Sequence, residues 1–333
     1  MWLTPPCELP YSSIMSNFWA QLPKPFFALA PMADVTDAAL RRIVAKYGKP
    51  DVLWTEFVAV DGLLSPGSAV LLKDLLYTEE ERPIVAQVFG SKPDHFFKVA
   101  ALIAQLGFDG IDINMGCPDK NVEKQGGGAS LMKHPKLAQE IIAATKEGAP
   151  QLPVSVKTRV GYNAVELDTW LSALLDAKPA AITVHARTRK EMSDVPARWE
   201  HIAEAVRMAK GTGTLIIGNG DVKDLDDAQK KAEETGADGI MLGRAIFGNP
   251  FLFAGRSLDE MKLAERFAIM LEHTRLFVEL LGDVKNFAVM KKHYKAYVNG
   301  FDGAKELRVR LMEAGGAAEI ESIVTDFLSD TDR

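Results

Sequence analysis

The sequence predicts an α/β fold: a (β/α)8 TIM barrel followed by a C-terminal all-helical domain. From Phe26 onward, eight short apolar runs alternate with amphipathic helical stretches, the order that gives parallel strands joined by crossover helices. Polar, chemically capable residues fall where those runs end. In a barrel these ends share one face, the face that carries active sites. After about Phe253 the strand signal stops and only helical pattern remains. An open doubly wound sheet is the alternative, but no Gly-x-Gly-x-x-Gly follows the first strand. The expected division is an N-terminal extension at 1–23, the barrel at 24–254 and the helical domain at 255–333.

The extension is rich in Pro and Ser and has little periodicity. It lacks a basic segment followed by an apolar one, so it does not read as a signal peptide. Met15 is a candidate alternative start, and Cys7 is incidental.

The first strand, Phe26–Ala30, runs into Pro31-Met32-Ala33, a proline-stiffened turn whose polarisable Met32 can pack on a flat ring. Val52–Glu56 is the second strand. The third, Ile84–Phe89, carries Gln87, whose amide offers donors and an acceptor to a ring edge. The helix Asp94–Leu106 leads to the fourth strand, Gly110–Asn114. A tight Gly-Cys-Pro turn then places Cys117 at the rim, followed by Gln125-Gly-Gly-Gly-Ala-Ser. A thiol on such a loop can be an acid, a nucleophile or a metal ligand. With no second cysteine in the barrel, the metal reading is poor.

Helix Pro135–Lys146 precedes the fifth strand, Val154–Lys157. Lys157 and Arg159, two apart, point to one side of an extended segment. An ammonium at the barrel mouth can stabilise negative charge on a bound ring. After helix Leu167–Ala177, the sixth strand, Ala181–His185, ends in His185, a candidate for a cofactor phosphate or a substrate. Arg187 and Arg189 beside it read as anion-binding forks. Helices Trp199–Ala209 and Asp224–Thr235 flank the seventh strand, Leu215–Asn219, which ends in Asn219-Gly220-Asp221. The eighth, Gly239–Leu242, ends in Gly243-Arg244. Loops after strands seven and eight are the usual phosphate site of this fold, and glycines let backbone approach a ligand. The tail reads as helices Asp259–Leu281, Asn286–Val298, Gly303–Ala314 and Ala317–Leu328, punctuated by Gly282, Gly300 and Gly315-Gly316.

The chain has 333 residues, 47% hydrophobic and 25% charged, which are ordinary values for a globular protein. Two cysteines make neither a disulfide framework nor an iron–sulfur site. No run approaches a membrane span, and a reducing cytoplasmic compartment fits. The net charge of −6 argues weakly against nucleic acid. Locally the balance reverses. From Asp283 to Met312 there are seven cations, Lys285, Lys291, Lys292, Lys295, Lys305, Arg308 and Arg310, against three anions. His293, Tyr294 and Tyr297 lie among them, the composition of an RNA-binding face.

Seven segments, APMADVTD (30–37), QVFG (87–90), DINMGCP (112–118), VKTRVG (156–161), VHARTR (184–189), GNGD (218–221) and GRAIFGNPF (243–251), together resemble the tRNA-dihydrouridine synthase (Dus) family. The tail segment 290–308 is also similar to that family. The resemblance implies FMN held by Pro31, Met32, Ala33, Gln87, Lys157, His185, Asn219, Gly220, Asp221, Gly243 and Arg244. It implies Cys117 as the general acid, with Asn114, Arg159 and Arg187 on the substrate. NADPH, or NADH, would reduce the flavin, tRNA would be the partner, and the protein would work as a monomer without a metal. A flavoprotein acting on free pyrimidines is the runner-up, and the basic tail speaks against it. An RNA-binding protein with the barrel as scaffold is a second alternative.

Overall fold

A computed structural model describes residues 17–257 and 260–331. Cys7, Met15, most of the expected extension and Asp259, the expected start of the first tail helix, lie outside the described residues. The chain runs through β1 (Phe26–Leu29), α1 (Ala38–Tyr47), β2 (Leu53–Trp54), β3 (Val58–Ala59), α2 (Val60–Leu63), α3 (Ser68–Leu71) and β4 (Ile84–Phe89). It continues through α4 (Pro93–Gln105), β5 (Gly110–Met115), α5 (Lys120–Lys124), α6 (Pro135–Gly148), β6 (Val154–Arg159) and α7 (Leu167–Asp176). Then come β7 (Ala181–His185), α8 (Glu200–Ala209), β8 (Leu215–Asn219), α9 (Leu225–Thr235) and β9 (Gly239–Leu242). The tail is α10 (Leu263–Leu281), α11 (Lys291–Tyr297), α12 (Ala304–Glu313) and α13 (Ala317–Thr331).

The strands are all parallel, in the order β1-β9-β8-β7-β6-β5-β4-β2. A parallel bridge from Ala28 to Val52 brings the two ends of that path together, giving the barrel that the strand–helix alternation predicts. The eight expected strands are all present. The sequence carries no sign of β3, α2 and α3, because residues 58–75 follow neither a clean period of two nor one of 3.6 over a useful length.

Strand pleating explains how the site is assembled. Side chains alternate across a strand, and the small inner cluster of Phe26, Ala28, Trp54, Val85, Ala181, Ile217 and Met241 marks the inward face. Counting by two from these residues puts Gln87, His185, Asn219 and Gly243 on the same face. Asp112, Asn114, Ser155 and Lys157 join them, in register across β4, β5 and β6. The opposite faces, with Ile111, Ile113, Val156, Ile182 and Val184, pack under the outer helices.

The tail helices bury a separate cluster containing Phe267, Met270, Phe277, Tyr294, Tyr297, Leu307 and Leu311. Ala39 and Ile43 of α1 belong to it, so the tail docks on the barrel through α1 and α10. This corrects one expectation. His293, Tyr294 and Tyr297 are at most 1% exposed and form core rather than an RNA-facing surface. On a single helix, positions 293, 294 and 297 share a stripe, and the apolar bodies of these rings take the buried side.

Candidate active site

The strand ends enclose a cavity of about 380 Å³, lined on one side by Pro31, Met32, Gly243 and Arg244 and on the other by Asn114, Cys117 and Arg159. Lys157, His185, Arg187, Asn219, Gly220 and Asp221 complete the wall. Of the expected site residues, Ala33 and Gln87 are not on it.

Gln87 is fully buried. Its Nε2 donates to Asp112 Oδ2 at 2.6 Å, and its Oε1 accepts from Asn114 Nδ2 at 3.0 Å. Each amide end thus has a partner inside the protein, which gives Gln87 a supporting role beneath the cavity wall. Asp112, which sequence reasoning passed over, anchors this chain. It also accepts from Ser155 Oγ at 2.6 Å, and burial pushes its carboxyl up to about 6. The visible signal was a carboxylate inside the apolar run Gly110-Ile-Asp-Ile-Asn, since buried charges need partners.

Asn114 passes the order outward. Its Oδ1 accepts the backbone N–H groups of Gly116 at 3.1 Å and Cys117 at 2.9 Å. The glycine run then wraps the same turn. The Ala129 amide donates to the Cys117 carbonyl at 2.9 Å. Gly128 has φ of +57°, and a Cβ there would meet that carbonyl oxygen at 2.7 Å. Burial raises the pKa of the Cys117 thiol, outweighing the backbone hydrogen bond from Asp119 and the cations Arg159 and Lys157, which act downward. The thiol is therefore protonated at neutral pH, which favours an acid over a thiolate nucleophile.

Lys157 donates to Asn219 Oδ1 at 3.2 Å, and Asn219 Nδ2 donates to the Met241 carbonyl at 2.8 Å. Burial, reinforced by Arg159, lowers the ammonium to about 8. Arg159 lines the cavity, but its Nε holds the Gly116 carbonyl at 2.9 Å and its Nη1 the carbonyls of Thr188 and Met192. It clamps the cysteine turn from behind.

His185 sits well below its ordinary pKa through burial and the cations Lys157, Arg159, Arg187 and Arg244. The ring is neutral, and its Nε2 lies 3.1 Å from Arg187 Nη1, so Nε2 accepts. The two expected anion forks are both paired already: Arg187 with Asp221 and Arg189 with Glu123. A guanidinium as buried as Arg187, at 3% exposure, needs such a partner. Asp221 also binds Arg244 at 2.6 Å and the Ala197 amide at 2.9 Å. Burial pushes the Asp221 carboxyl up, yet the Ala197 amide, Arg187 and Arg244 outweigh it and hold it below its usual range.

Gly220 has φ of +130°, and a Cβ there would stand 2.8 Å from Ala197 Cβ and 3.2 Å from His185. Trp199 Nε1 holds the Gly220 carbonyl at 3.0 Å, a support the sequence did not reveal. After Gly243 the chain makes a 3-10 turn at Arg244–Ile246, so the expected helix start there is a single turn. Among the described residues, no group of three or more His, Cys, Asp or Glu side chains could hold a metal ion. No described helix is long and apolar enough to cross a membrane.

Comparison with known proteins identifies the family. Residues 28–330 match the family described as Dihydrouridine synthase (Dus). A "Probable tRNA-dihydrouridine synthase" of Staphylococcus aureus (strain MRSA252) is 41% identical over 322 residues, covering 95% of this chain and 97% of that one. The "Probable tRNA-dihydrouridine synthase 2" of Bacillus subtilis (strain 168) is 42% identical over 316 residues, covering 93% and 96%. Among solved structures, 2-naphthoyl-CoA reductase superposes with a TM-score of 0.54 at 13% identity. That match covers 68% of this chain and 49% of that one, and it shows a shared barrel. With the match running through the barrel and the tail helices alike, the chain belongs to the dihydrouridine synthase family.

Proposed function

We propose that the cavity holds FMN and that the enzyme reduces specific uridines in tRNA to 5,6-dihydrouridine with electrons from NAD(P)H. One observation carries this reading. In a chain of this family, a protonated thiol, Cys117, shares one cavity with a half-buried cation, Lys157, and a glycine turn flanked by arginines. The residues present fit a flavin mononucleotide. Met32 offers an apolar, polarisable face. Lys157 offers a cation to the electron-rich edge of a ring, and the close approach at Gly220, with Arg244 beside it, suits a phosphate. Pro31, His185, Asn219, Asp221 and Gly243 complete that cradle. Bound flavin supplies hydride for uracil C6.

The protein's own groups do the rest. Cys117 delivers its Sγ proton to C5, where negative charge develops after hydride addition. The Asn114 cap and the Arg159 clamp keep that thiol aimed. Neutral His185 and Asn219 orient the ligand without adding net charge. Asn114, Arg159 and Arg187 form the substrate side, and a loop base must leave its stack to reach it. NADPH is the proposed donor, and the tail from 255 to 333 is the proposed tRNA-binding unit of a monomeric, cytoplasmic enzyme.

Two measurements test this. Heat-released cofactor from purified protein is expected to be FMN, about one per chain. Nucleosides of tRNA from a strain lacking the gene are expected to lose dihydrouridine at defined positions. Intact dihydrouridine together with a flavin-free protein overturns the proposal.

A further inference from the structure

Lys285 belongs by sequence to the cationic stretch of the tail, and the structure puts it to another use. It follows α10, and its side chain is only 13% exposed, unusual for lysine. Its ammonium lies in a socket of barrel carboxylates: Glu56 at 2.7 Å, Asp74 at 3.0 Å and Asp34 at 3.5 Å. Burial works against the charge on Lys285, yet Glu56 and Asp74 outweigh it and raise the pKa. Glu56 is the hinge of the arrangement. Its Oε2 takes Lys285, and its Oε1 accepts the backbone N–H of Asp34.

Asp34 needs that support. It holds a left-handed φ of +56°, an uncommon conformation for a residue with a Cβ. It lies inside the turn closed by the Val35 amide on the Met32 carbonyl, just after Pro31 and Met32 of the cavity wall. Burial already raises Glu56 to about 7 against the pull of Lys285, so removing the ammonium would let that carboxyl take up a proton and weaken its hold on the Asp34 amide.

We infer that Lys285 is a positioning residue: carried by the tail, it holds Glu56 and thereby the Pro31–Asp34 turn, setting one wall of the active-site cavity in register with the helices proposed to grip tRNA. This rests on the function proposed above. A second contact between the same elements supplies a control. Glu272 of α10 binds Lys46 and Tyr47 at the end of α1, remote in sequence from the turn, so loosening it perturbs docking without touching the Glu56–Asp34 bond.

The test compares the purified holoenzyme with Lys285→Met, Lys285→Arg and Glu272→Ala. Three quantities are read: hydrogen–deuterium exchange of the peptide over residues 31–36, the equilibrium Kd for tRNA, and single-turnover flavin reoxidation at saturating tRNA. Lys285→Met is expected to speed exchange in that peptide by about tenfold. It should slow reoxidation by roughly tenfold or more, with tRNA Kd within about twofold of wild type. Lys285→Arg should restore most of both, and Glu272→Ala should reproduce neither.

Unchanged exchange in Lys285→Met overturns the inference. So does a weakened Kd with normal reoxidation, which makes Lys285 a simple tRNA contact. Equal effects from Glu272→Ala overturn it too, as general loosening. Should Lys285→Met not fold, Asp74→Asn tests the socket by the same readouts, with the same result overturning the inference. Exchange is read without any tRNA chemistry, so a wild type that fails to reduce tRNA rejects the proposed function while exchange still decides the role of Lys285.

Discussion

Asp112 accepts the side-chain amide of Gln87 at 2.6 Å, buried within the barrel. A carboxylate can only accept, so it fixes which end of the Gln87 amide faces it. Gln87 then presents Oε1 to Asn114, and Asn114 presents Oδ1 to the Cys117 amide. Asp112→Asn removes that polarity, because an asparagine can face Gln87 either way. Reduction of tRNA is expected to slow by about tenfold to a hundredfold, the weight of one or two buried hydrogen bonds, with flavin content unchanged. Asn114→Ala should cost a similar amount. The double variant should cost little more than Asn114→Ala alone, since both act through one chain. Additive losses in single-turnover rates would break this account.

Much of this site was legible in sequence because strand periodicity and strand ends are local signals. Asn114, Lys157, His185, Asn219 and Gly243 could be placed on one face by counting alone. What could not be read was who bonds to whom. The bond from Gln87 to Asp112 could not be read, because Asp112 comes from another strand, 25 residues away. Arg187 looked like a free fork because Asp221 meets it only across β7 and β8. Lys285 read as one more tail cation, since nothing local announces a carboxylate socket 229 residues earlier. His293, Tyr294 and Tyr297 had the composition of an RNA face, but which side of α11 is covered depends on where α10 and α12 pack.

Lys157 should give the site a pH limb. Its ammonium is lowered to about 8 by burial, with Arg159 adding, so charge is present below that pH and lost above it. Affinity of flavin-stripped protein for FMN is expected to weaken as pH rises through about 8. Lys157→Gln should bind weakly at all pH values and show no limb there. Fluorescence titration from about pH 6.5 to about 9.5 reads this directly. A limb that persists in Lys157→Gln assigns it to another group.

The buried pair His273 and His293 should make the tail acid-sensitive. Their rings lie 4.7 Å apart, and neither ring nitrogen of His273 has a partner among the described residues. Burial lowers His273 from 6.5 to about 3, so between those values the unfolded chain holds a proton that the folded one does not. Its contribution to stability is fully present above about pH 6.5 and lost as pH falls below it, by up to about 1.4 kcal/mol per pH unit. His273→Leu should flatten this limb and raise Tm at about pH 5.5 by roughly 2–5 °C. A Tm below that of wild type at the same pH would show that the imidazole is needed in its place.

With Lys285 buried, the cationic surface of the tail reduces to a smaller set. Lys291 donates to the Met312 carbonyl and Arg308 to that of Val298. Lys292, Lys295 and Lys305 make no ion pair among the described residues. Reversing these three to Glu is expected to weaken tRNA binding and flatten its salt dependence, by roughly one unit of log–log slope for each phosphate no longer neutralised. NADPH oxidation by oxygen should survive, since the barrel is untouched. Unchanged affinity at low salt would move the RNA grip elsewhere.

Cys117 carries the sharpest prediction, because its backbone and its thiol have separate tasks. The backbone is held by Asn114, Arg159 through Gly116, and Ala129, none of which involves Sγ. Cys117→Ala should therefore keep the turn, the cavity and the flavin. Reduction of that flavin by NADPH should proceed at a near-normal rate. Reoxidation by tRNA should slow by roughly 10²–10⁴-fold, the usual weight of a general acid. Cys117→Ser should also be slow, since an alcohol is a far weaker acid than a thiol. Anaerobic stopped-flow on the two half-reactions separates the outcomes. Reoxidation as fast as wild type would remove the thiol from proton transfer, and loss of flavin would make it a structural group.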